Sequence, residues 1–304
     1  MKKRQFERAA ESSQSSNTIK STRRIFFNHL YHTVEERGHF HVDHTFGSGS
    51  GILIRKNGLF YLLTARHVLQ NTTNFEFSND SPFWVTALNR YQVKSIYDFL
   101  MPARLHFIGD LIADRGVAID TSDLVMVELF KPFPQHQPDS FLDFDAKVSP
   151  MLPKEQFFAG QLLFAAGYPF ERNSFTFLDE PRDGFTHETP VQRHIVNGQC
   201  VLEHGEPCMT ALTNAAPYEN MSGASGGIIC NMQNKGNKVR ALGMILSGGP
   251  RIIRFLPSYL IQEAIDRLNE AKSIVIDSTV IRRPDFHASC AALSEYQRYL
   301  REGE

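Results

Sequence analysis

The fold of this chain is constrained most by a series of short apolar runs, separated by turn-forming residues, between about residues 38 and 255. Leu59–Thr64 follows Gly51–Ile54 across Asn57-Gly58, and an Asn-Gly pair between two apolar runs strongly favours a tight β-hairpin. Further strands are predicted at Phe83–Leu88, Ala103–Ile108, Leu124–Leu129, Leu162–Ala166, Gln192–Leu202, Met209–Thr213, Gly227–Asn231 and Val239–Ser247. Because no long helical pattern alternates with these runs, the sequence predicts an all-β protein rather than a doubly wound α/β sheet.

Changes in composition divide the first 272 residues into three parts. Residues 1–37 are predicted to form a basic polar tail, which is either a solvated terminus or an arm that docks on a partner. Five prolines between Lys131 and Pro153 predict a linker between two β units. We therefore expect one unit over residues 38–150 and a second over residues 151–272.

The C-terminal part of the chain is predicted to be helical. Apolar residues between Pro257 and Leu268 recur at the spacing that places them on one face of a helix. A second helix is expected near Ala288–Leu300, within a helical extension over residues 273–304.

Composition excludes several classes of function. With 32 Lys and Arg against 33 Asp and Glu, bulk electrostatic attraction to nucleic acid is excluded as the main activity. The four cysteines are too few for a disulfide scaffold, and their spacing fits no zinc-ligand pattern. No apolar run approaches the roughly 20 residues that span a bilayer, and the N-terminus lacks the apolar region of a secretory signal. We expect a cytoplasmic protein with reduced thiols and no membrane contact.

Three short motifs carry residues suited to acyl transfer. His67 follows a predicted strand, Asp123 stands directly before the apolar strand Leu124–Leu129, and Ser225 lies in the glycine-dense turn Gly223–Gly227. A serine hydroxyl needs a nearby base, and the base needs a third group that orients it. Imidazole, with an ordinary pKa near ~6.5, suits the first role, and a carboxylate suits the second. Glycine tolerates the backbone torsions that aim N–H groups at a developing oxyanion.

Together these motifs resemble those of the trypsin-like (chymotrypsin-fold) serine peptidases, closer to bacterial and HtrA-like peptidase domains. The resemblance lies in the order His67, Asp123, Ser225 and in the local sequence around each residue. Three further segments are similar to family segments: Gly49–Ile54, Phe164–Pro169 and Gly243–Gly249. The similarity covers roughly residues 45–270.

The resemblance implies two antiparallel β-barrels with the reacting groups at their junction. It assigns His67 as general base, Asp123 as the orienting acid and Ser225 as nucleophile, with the N–H groups of Gly223 and Ser225 as the oxyanion hole. The implied activity is that of an intracellular serine endopeptidase, which hydrolyses a polypeptide through an acyl-enzyme without a metal or cofactor.

The resemblance also names candidates for substrate binding. Glu219, six residues before Ser225, is a candidate for the base of the primary specificity pocket; the other interpretation is a solvent-facing loop residue. Ser247, Gly248 and Gly249 are candidates for pairing with the substrate backbone.

Two departures from the family pattern carry expectations of their own. Val68 stands where extracellular members have a cysteine after the histidine, so no disulfide is expected there. Ala224 replaces the aspartate of zymogen-activated members, so no N-terminal cleavage switch of that type is expected.

Each candidate has rivals nearby. Three other carboxylates precede Asp123: Asp110, Asp114 and Asp120. Only Asp123 leads directly into an apolar strand. Ser222 shares the turn with Ser225, but only Ser225 has glycine at positions −2, +1 and +2.

The glycine-rich turn also fits the nucleophile elbow of α/β-hydrolases. That fold requires the acid and the histidine after the serine, and Asp277 and His287 do follow Ser225. The apolar run after Gly226-Gly227 reads as a strand, however, whereas an elbow requires a helix there. The missing β–α alternation also opposes this fold.

Two hypotheses about function stay open on the sequence alone. The first is an active endopeptidase that is held latent until a regulatory protein partner or a stress signal arrives, with the tail or the C-terminal extension as the partner's handle. The second is a catalytically silent trypsin-like protein that binds peptides or acts as a scaffold.

Overall fold

The computed structural model describes residues 3–28, 45–71, 83–87, 99–117, 119–132, 134, 137–174, 176–182, 185–188, 191–203, 206–211, 221–232, 238–248 and 252–276. The helices in these ranges are α1 Lys3–Gln14, α2 Asn17–Lys20, α3 Arg66–Asn71 and α4 Ser258–Asp266. Short 3₁₀ turns lie at Ile108–Arg115, Thr121–Asp123, Lys154–Gln156, Phe170–Arg172 and Leu268–Glu270.

Strands account for most of the regular structure. Those of the first half are β1 Thr22–Asn28, β2 Thr45–Lys56, β3 Leu59–Ala65, β4 Phe83–Thr86, β5 Phe99–Leu100, β6 Pro102–His106, β7 Leu124–Leu129 and β8 Leu142–Asp143. Those of the second half are β9 Leu162–Gly167, β10 Thr176–Arg182, β11 Phe185–Glu188, β12 His194–Glu203, β13 Glu206–Ala211, β14 Ile228–Asn231, β15 Ala241–Gly248, β16 Ile252–Pro257 and β17 Ser273–Val275.

The first β unit is a single sheet that comes round on itself. Its neighbours follow the order β17-β6-β7-β3-β2-β1-β4-β5, and β8 pairs in parallel with β2. All other pairs in the sheet are antiparallel. Strand β5, at one end of this order, is separated from β6 by Met101 alone, and β6 lies next to the other end. The two ends of the sheet are therefore joined through the chain.

The second β unit is a closed antiparallel barrel of the order β12-β13-β16-β15-β14-β9. Strands β10 and β11 form a separate hairpin between β9 and β12. When β5 and β6 are taken as one strand, both units share the neighbour order 1-2-3-6-5-4, counted along the chain. The predicted fold class is confirmed: the chain is mainly β, with two curled antiparallel units of the trypsin-like type and a helix after the second.

The core runs continuously through both units. One cluster of buried apolar side chains joins Ile52 and Leu63 of the first sheet to Met244 and Leu256 of the barrel. The predicted strand Leu124–Leu129 is confirmed as β7, which is apolar on both faces, and its residues 124–127 are fully buried. The junction between the two units is therefore packed, and side chains at its rim are held by two sheets at once.

The predicted hairpin is confirmed at Asn57-Gly58. Both residues have positive φ, at 53° and 75°, which matches the two-residue turn that such a pair favours. The turn joins β2 to β3 and pairs Lys56 with Leu59. This hairpin carries the segment that leads into His67.

The prediction of a basic polar tail is corrected over residues 3–28, while residues 29–37 lie outside the described residues. Residues 3–20 contain two helices, and β1 pairs with both β2 and β4. Strand β1 was missed because a charged residue, Arg23, occupies a buried position in it. The Arg23 guanidinium donates to the carbonyls of Thr86, Ala87 and Ser140 and forms an ion pair with Asp139. A buried arginine with satisfied donors does not show in an apolar pattern.

The prediction of a helical extension over residues 273–304 is corrected at its start. Strand β17 pairs antiparallel with β6, so the chain returns to the first sheet after α4. The second predicted helix, near Ala288–Leu300, lies outside the described residues.

Candidate active site

His67 and Asp123 are brought together because β3 and β7 are antiparallel neighbours. Ala65, the last residue of β3, lies opposite Leu124, the first residue of β7. The chain enters α3 directly after β3, and it leaves a 3₁₀ turn directly before β7. The two side chains therefore meet at the same end of the sheet.

Both carboxylate oxygens of Asp123 contact His67. Oδ2 lies 2.6 Å from the imidazole Nδ1, and Oδ1 accepts a hydrogen bond from the backbone N–H of His67 at 2.9 Å. That N–H belongs to the first turn of α3, where it has no partner within the helix. The side chain of Asp123 is 16% exposed and that of His67 is 37% exposed. The carboxylate is thus sheltered while the imidazole stays accessible.

The rival carboxylates do not contact the imidazole in the described part of the chain. Asp110 and Asp114 are exposed on the surface. Asp120 accepts hydrogen bonds from the backbone N–H and the hydroxyl of Ser122, at 3.0 and 2.6 Å. Asp120 therefore stabilises the turn that presents Asp123.

The turn around Ser225 is seated on the strands that lead to His67. Gly226 has a φ of +82°, and a Cβ built on it would lie 1.9 Å from the carbonyl oxygen of Ser50 and 2.5 Å from Oγ1 of Thr64. Only glycine allows this approach and this torsion together. Thr64 lies in β3, three residues before His67, so the serine turn and the histidine share one wall of the junction.

The backbone of this turn is held by its carbonyl groups. The oxygens of four successive residues accept hydrogen bonds: Ser222 from Phe170 N (2.8 Å), Gly223 from Ser50 Oγ (3.1 Å), Ala224 from Gly227 N (2.9 Å) and Ser225 from Ser50 N (3.0 Å). By contrast, the N–H groups of Gly223 and Ser225 donate to none of the described residues. Gly223 has a φ of +90°. Two unpartnered N–H groups in one turn are what an anionic oxygen requires.

The hydroxyl of Ser225 is hydrogen-bonded within its own barrel. It donates to the carbonyl oxygen of Leu246 in β15 at 2.9 Å. Among the described contacts, no hydrogen bond joins Ser225 to His67. The structure therefore brings His67 to Asp123 and places the Ser225 hydroxyl on Leu246.

The substrate-binding candidates are only partly described. Ser247 and Gly248 close strand β15, directly after Leu246. A Cβ built on Gly248 would lie 2.7 Å from Cβ of Met221, so this glycine lets the strand approach the start of the serine turn. Glu219 and Gly249 lie outside the described residues, and the roles of all four stay predictions.

Sequence reasoning missed Ser50 as a member of this site. Its position in a Gly-Ser-Gly segment was visible, but its side-chain contacts with Gly223 and Tyr168 depend on how the two β units pack. No local pattern reports such a contact.

A competing sulfur nucleophile is not available from Cys230. This thiol is fully buried in β14, and burial raises its pKa, so it is protonated at neutral pH. Within the described residues, no group of three or more His, Cys, Asp or Glu side chains is arranged to hold a metal ion. Nor does any helix in these ranges have the length and apolar character needed to span a membrane.

Comparison with solved structures finds 438 similar chains. Human heparin binding protein is one of them, with a TM-score of 0.47 and 14% sequence identity. The match covers 84% of this chain and 93% of that one. No family model and no curated protein matches the sequence.

Proposed function

We propose that this protein is a serine endopeptidase that hydrolyses polypeptides through an acyl-enzyme, with Ser225 as nucleophile. The observation that carries the proposal is the contact of Nδ1 of His67 with Oδ2 of Asp123 at 2.6 Å. It is joined by a serine turn in which the N–H groups of Gly223 and Ser225 have no described partner. Base, orienting acid, nucleophile and oxyanion donors are then supplied by the chain alone.

In the proposed mechanism, Ser225 attacks the scissile carbonyl while Nε2 of His67 takes the hydroxyl proton. Asp123 fixes the tautomer with hydrogen on Nδ1 and stabilises the imidazolium that forms. The N–H groups of Gly223 and Ser225 donate to the oxyanion. The imidazolium then protonates the leaving amine. In deacylation the imidazole takes a proton from water, which attacks the acyl carbonyl, and the imidazolium returns that proton to Oγ of Ser225 as the acid is released.

The first step requires a change at Ser225. Its hydroxyl donates to Leu246, so this hydrogen bond must break before His67 can accept the proton. Rotation of a side chain between staggered conformers is fast compared with turnover and needs no backbone movement.

The hydrogen bond from Ser225 to Leu246 also favours a second candidate function, a peptide-binding protein that does not cleave. A protein whose serine hydroxyl stays on Leu246 would bind peptides without cleaving them, or would wait for a partner that shifts the rotamer. The two candidates differ in whether Ser225 reacts with an electrophile in the isolated protein.

The test is the intact mass of the full-length protein after incubation with a fluorophosphonate probe. We expect one adduct on the wild type and none on Ser225→Ala. Ser222→Ala is the matched control, since it removes a neighbouring exposed hydroxyl from the same turn, and it should be labelled like the wild type. Cleavage of a fluorescent casein, lost in Ser225→Ala, distinguishes a peptidase from an esterase. A folded wild type that takes no adduct contradicts the proposal and favours the silent binding protein.

A further inference from the structure

The side chain of Ser50 makes a bridge between the first sheet and the serine turn of the barrel. Ser50 lies in β2 and is fully buried. Its hydroxyl donates to the carbonyl oxygen of Gly223 at 3.1 Å and accepts from the backbone N–H of Tyr168 at 2.9 Å. Its single hydroxyl proton and one lone pair are thus engaged across the junction.

The backbone of Ser50 makes two more contacts at the same place. Its N–H donates to the carbonyl oxygen of Ser225 at 3.0 Å, and its carbonyl oxygen accepts from Oγ1 of Thr64 at 2.7 Å. The backbone contacts fix where Ser50 sits, and its buried hydroxyl is held there by its hydrogen bonds to Gly223 and Tyr168. Ser50 therefore holds the serine turn at two carbonyl groups, one on each side of Ala224.

The contact with Gly223 acts on the peptide group that separates the two oxyanion donors. The Gly223–Ala224 peptide is held at its oxygen by Ser50 and at its N–H by the carbonyl of Met221, 2.9 Å away. The torsions on either side of this peptide, ψ of Gly223 and φ of Ala224, set the angle between the N–H groups of Gly223 and Ser225, so rotation about either one alone would turn the two N–H groups away from a common point. With glycine at position 223 and a φ of +90°, side-chain sterics offer little resistance to that rotation.

We propose that Ser50 is a positioning residue for the oxyanion hole: its hydroxyl holds the Gly223–Ala224 peptide so that both N–H groups converge. This inference rests on the proposed function and adds to it a residue that has no described hydrogen bond to the side chain of Ser225 or to His67. A misplacement of oxyanion donors weakens transition-state binding more than ground-state binding.

The test compares fluorophosphonate labelling rates at Ser225 in wild type, Ser50→Ala and Ser258→Ala, each as the full chain. Ser258 is the matched control, because its hydroxyl is also fully buried and also donates to a backbone carbonyl, that of Leu152 at 2.5 Å. We expect Ser50→Ala to label about 10- to 100-fold more slowly. Ser258→Ala should lower the melting temperature and leave the labelling rate within about twofold, the limit we set for a change unrelated to the oxyanion hole.

The pH profile separates positioning from general disruption. Labelling depends on the neutral imidazole, and Ser50 has no described contact with His67 or Asp123, so Ser50→Ala should lower the plateau without moving the midpoint. Ser50→Thr, which keeps the hydroxyl, should restore most of the rate. If Ser50→Ala fails to fold, the labelling rates of folded Ser50→Thr and folded Ser50→Cys are compared instead. Ser50→Cys should label more slowly, because a thiol is a weaker hydrogen-bond donor than a hydroxyl.

The outcomes separate the two proposals. A wild type that labels at Ser225 together with a Ser50→Ala variant that labels equally fast overturns the role of Ser50 and leaves the proposed function standing. A shifted midpoint in Ser50→Ala also overturns the role, since it means that the His67–Asp123 contact has been disturbed. A folded wild type that does not label overturns the proposed function and this inference with it.

Discussion

Asp123 engages His67 at two points, with Oδ2 2.6 Å from the imidazole Nδ1 and Oδ1 accepting the backbone N–H of His67 at 2.9 Å. The Asp123 carboxylate thus holds both the imidazole ring of His67 and the first turn of α3, so the orientation of the ring relative to its own backbone is fixed. A carboxylate with both oxygens engaged in this way has one orientation available. The pair is therefore arranged before any substrate binds.

Replacement of Asp123 by Asn should lower the fluorophosphonate labelling rate by about 10³- to 10⁴-fold with the fold intact. An amide can present its NH₂ group to Nδ1 and so favour the tautomer that leaves no lone pair on Nε2. The measurement is the labelling rate by intact mass, with circular dichroism to check folding. Asp120→Asn is the control, because Asp120 bonds to Ser122 and not to His67. Equal rates in Asp123→Asn and wild type would contradict the proposed role of Asp123.

Replacement of Gly226 by Ala should destabilise the protein by at least about 3 kcal/mol. The new Cβ would lie 1.9 Å from the Ser50 carbonyl oxygen, and the φ of +82° is strained for any side chain. Gly160→Ala is the matched control, since Gly160 has a φ of +81° but nothing within 4 Å of its Cβ position. That control should cost only the backbone strain, about 1–2 kcal/mol. Urea unfolding measures both, and equal losses would show that the close approach to Ser50 is unimportant.

Replacement of Ile19 by Ala should lower the free energy of unfolding by about 2–5 kcal/mol. Ile19 lies in α2 and is fully buried in the core that the two units share, whereas a loosely attached tail would contribute nothing. The measurement is urea unfolding of the full-length protein. Arg8→Ala, at an exposed position of α1, should change the stability by less than about 0.5 kcal/mol. An Ile19→Ala variant as stable as Arg8→Ala would restore the interpretation of this segment as a tail.

The sequence predicted those parts of the fold that are encoded in local patterns. The hairpin at Asn57-Gly58 and the doubly buried strand β7 are of this kind, because turn torsions and apolar runs are properties of a few adjacent residues. The contact between His67 and Asp123 was also predictable, but only through the family resemblance, since 56 residues separate them.

Other parts depend on contacts between distant segments and escaped prediction. Strand β1 contains two adjacent arginines, and its burial is stabilised by acceptors that come from later in the chain, such as the Asn173 carbonyl for Arg24. The Ser225 rotamer was likewise not predictable, because the carbonyl of Leu246 that accepts its hydrogen bond is supplied by the barrel. The role of Ser50 needed both units in place.

The two ends of the described chain cross between the units in opposite directions. Near the N-terminus, Oγ1 of Thr18 donates to the carbonyl of Val239 beside the barrel, at 2.8 Å. After the barrel, β17 adds itself to β6 of the first sheet. The segment before the first sheet thus contacts the barrel, and the segment after the barrel pairs with the first sheet. Separation of the two units would have to break both contacts, so the junction is tied at both ends of the described chain.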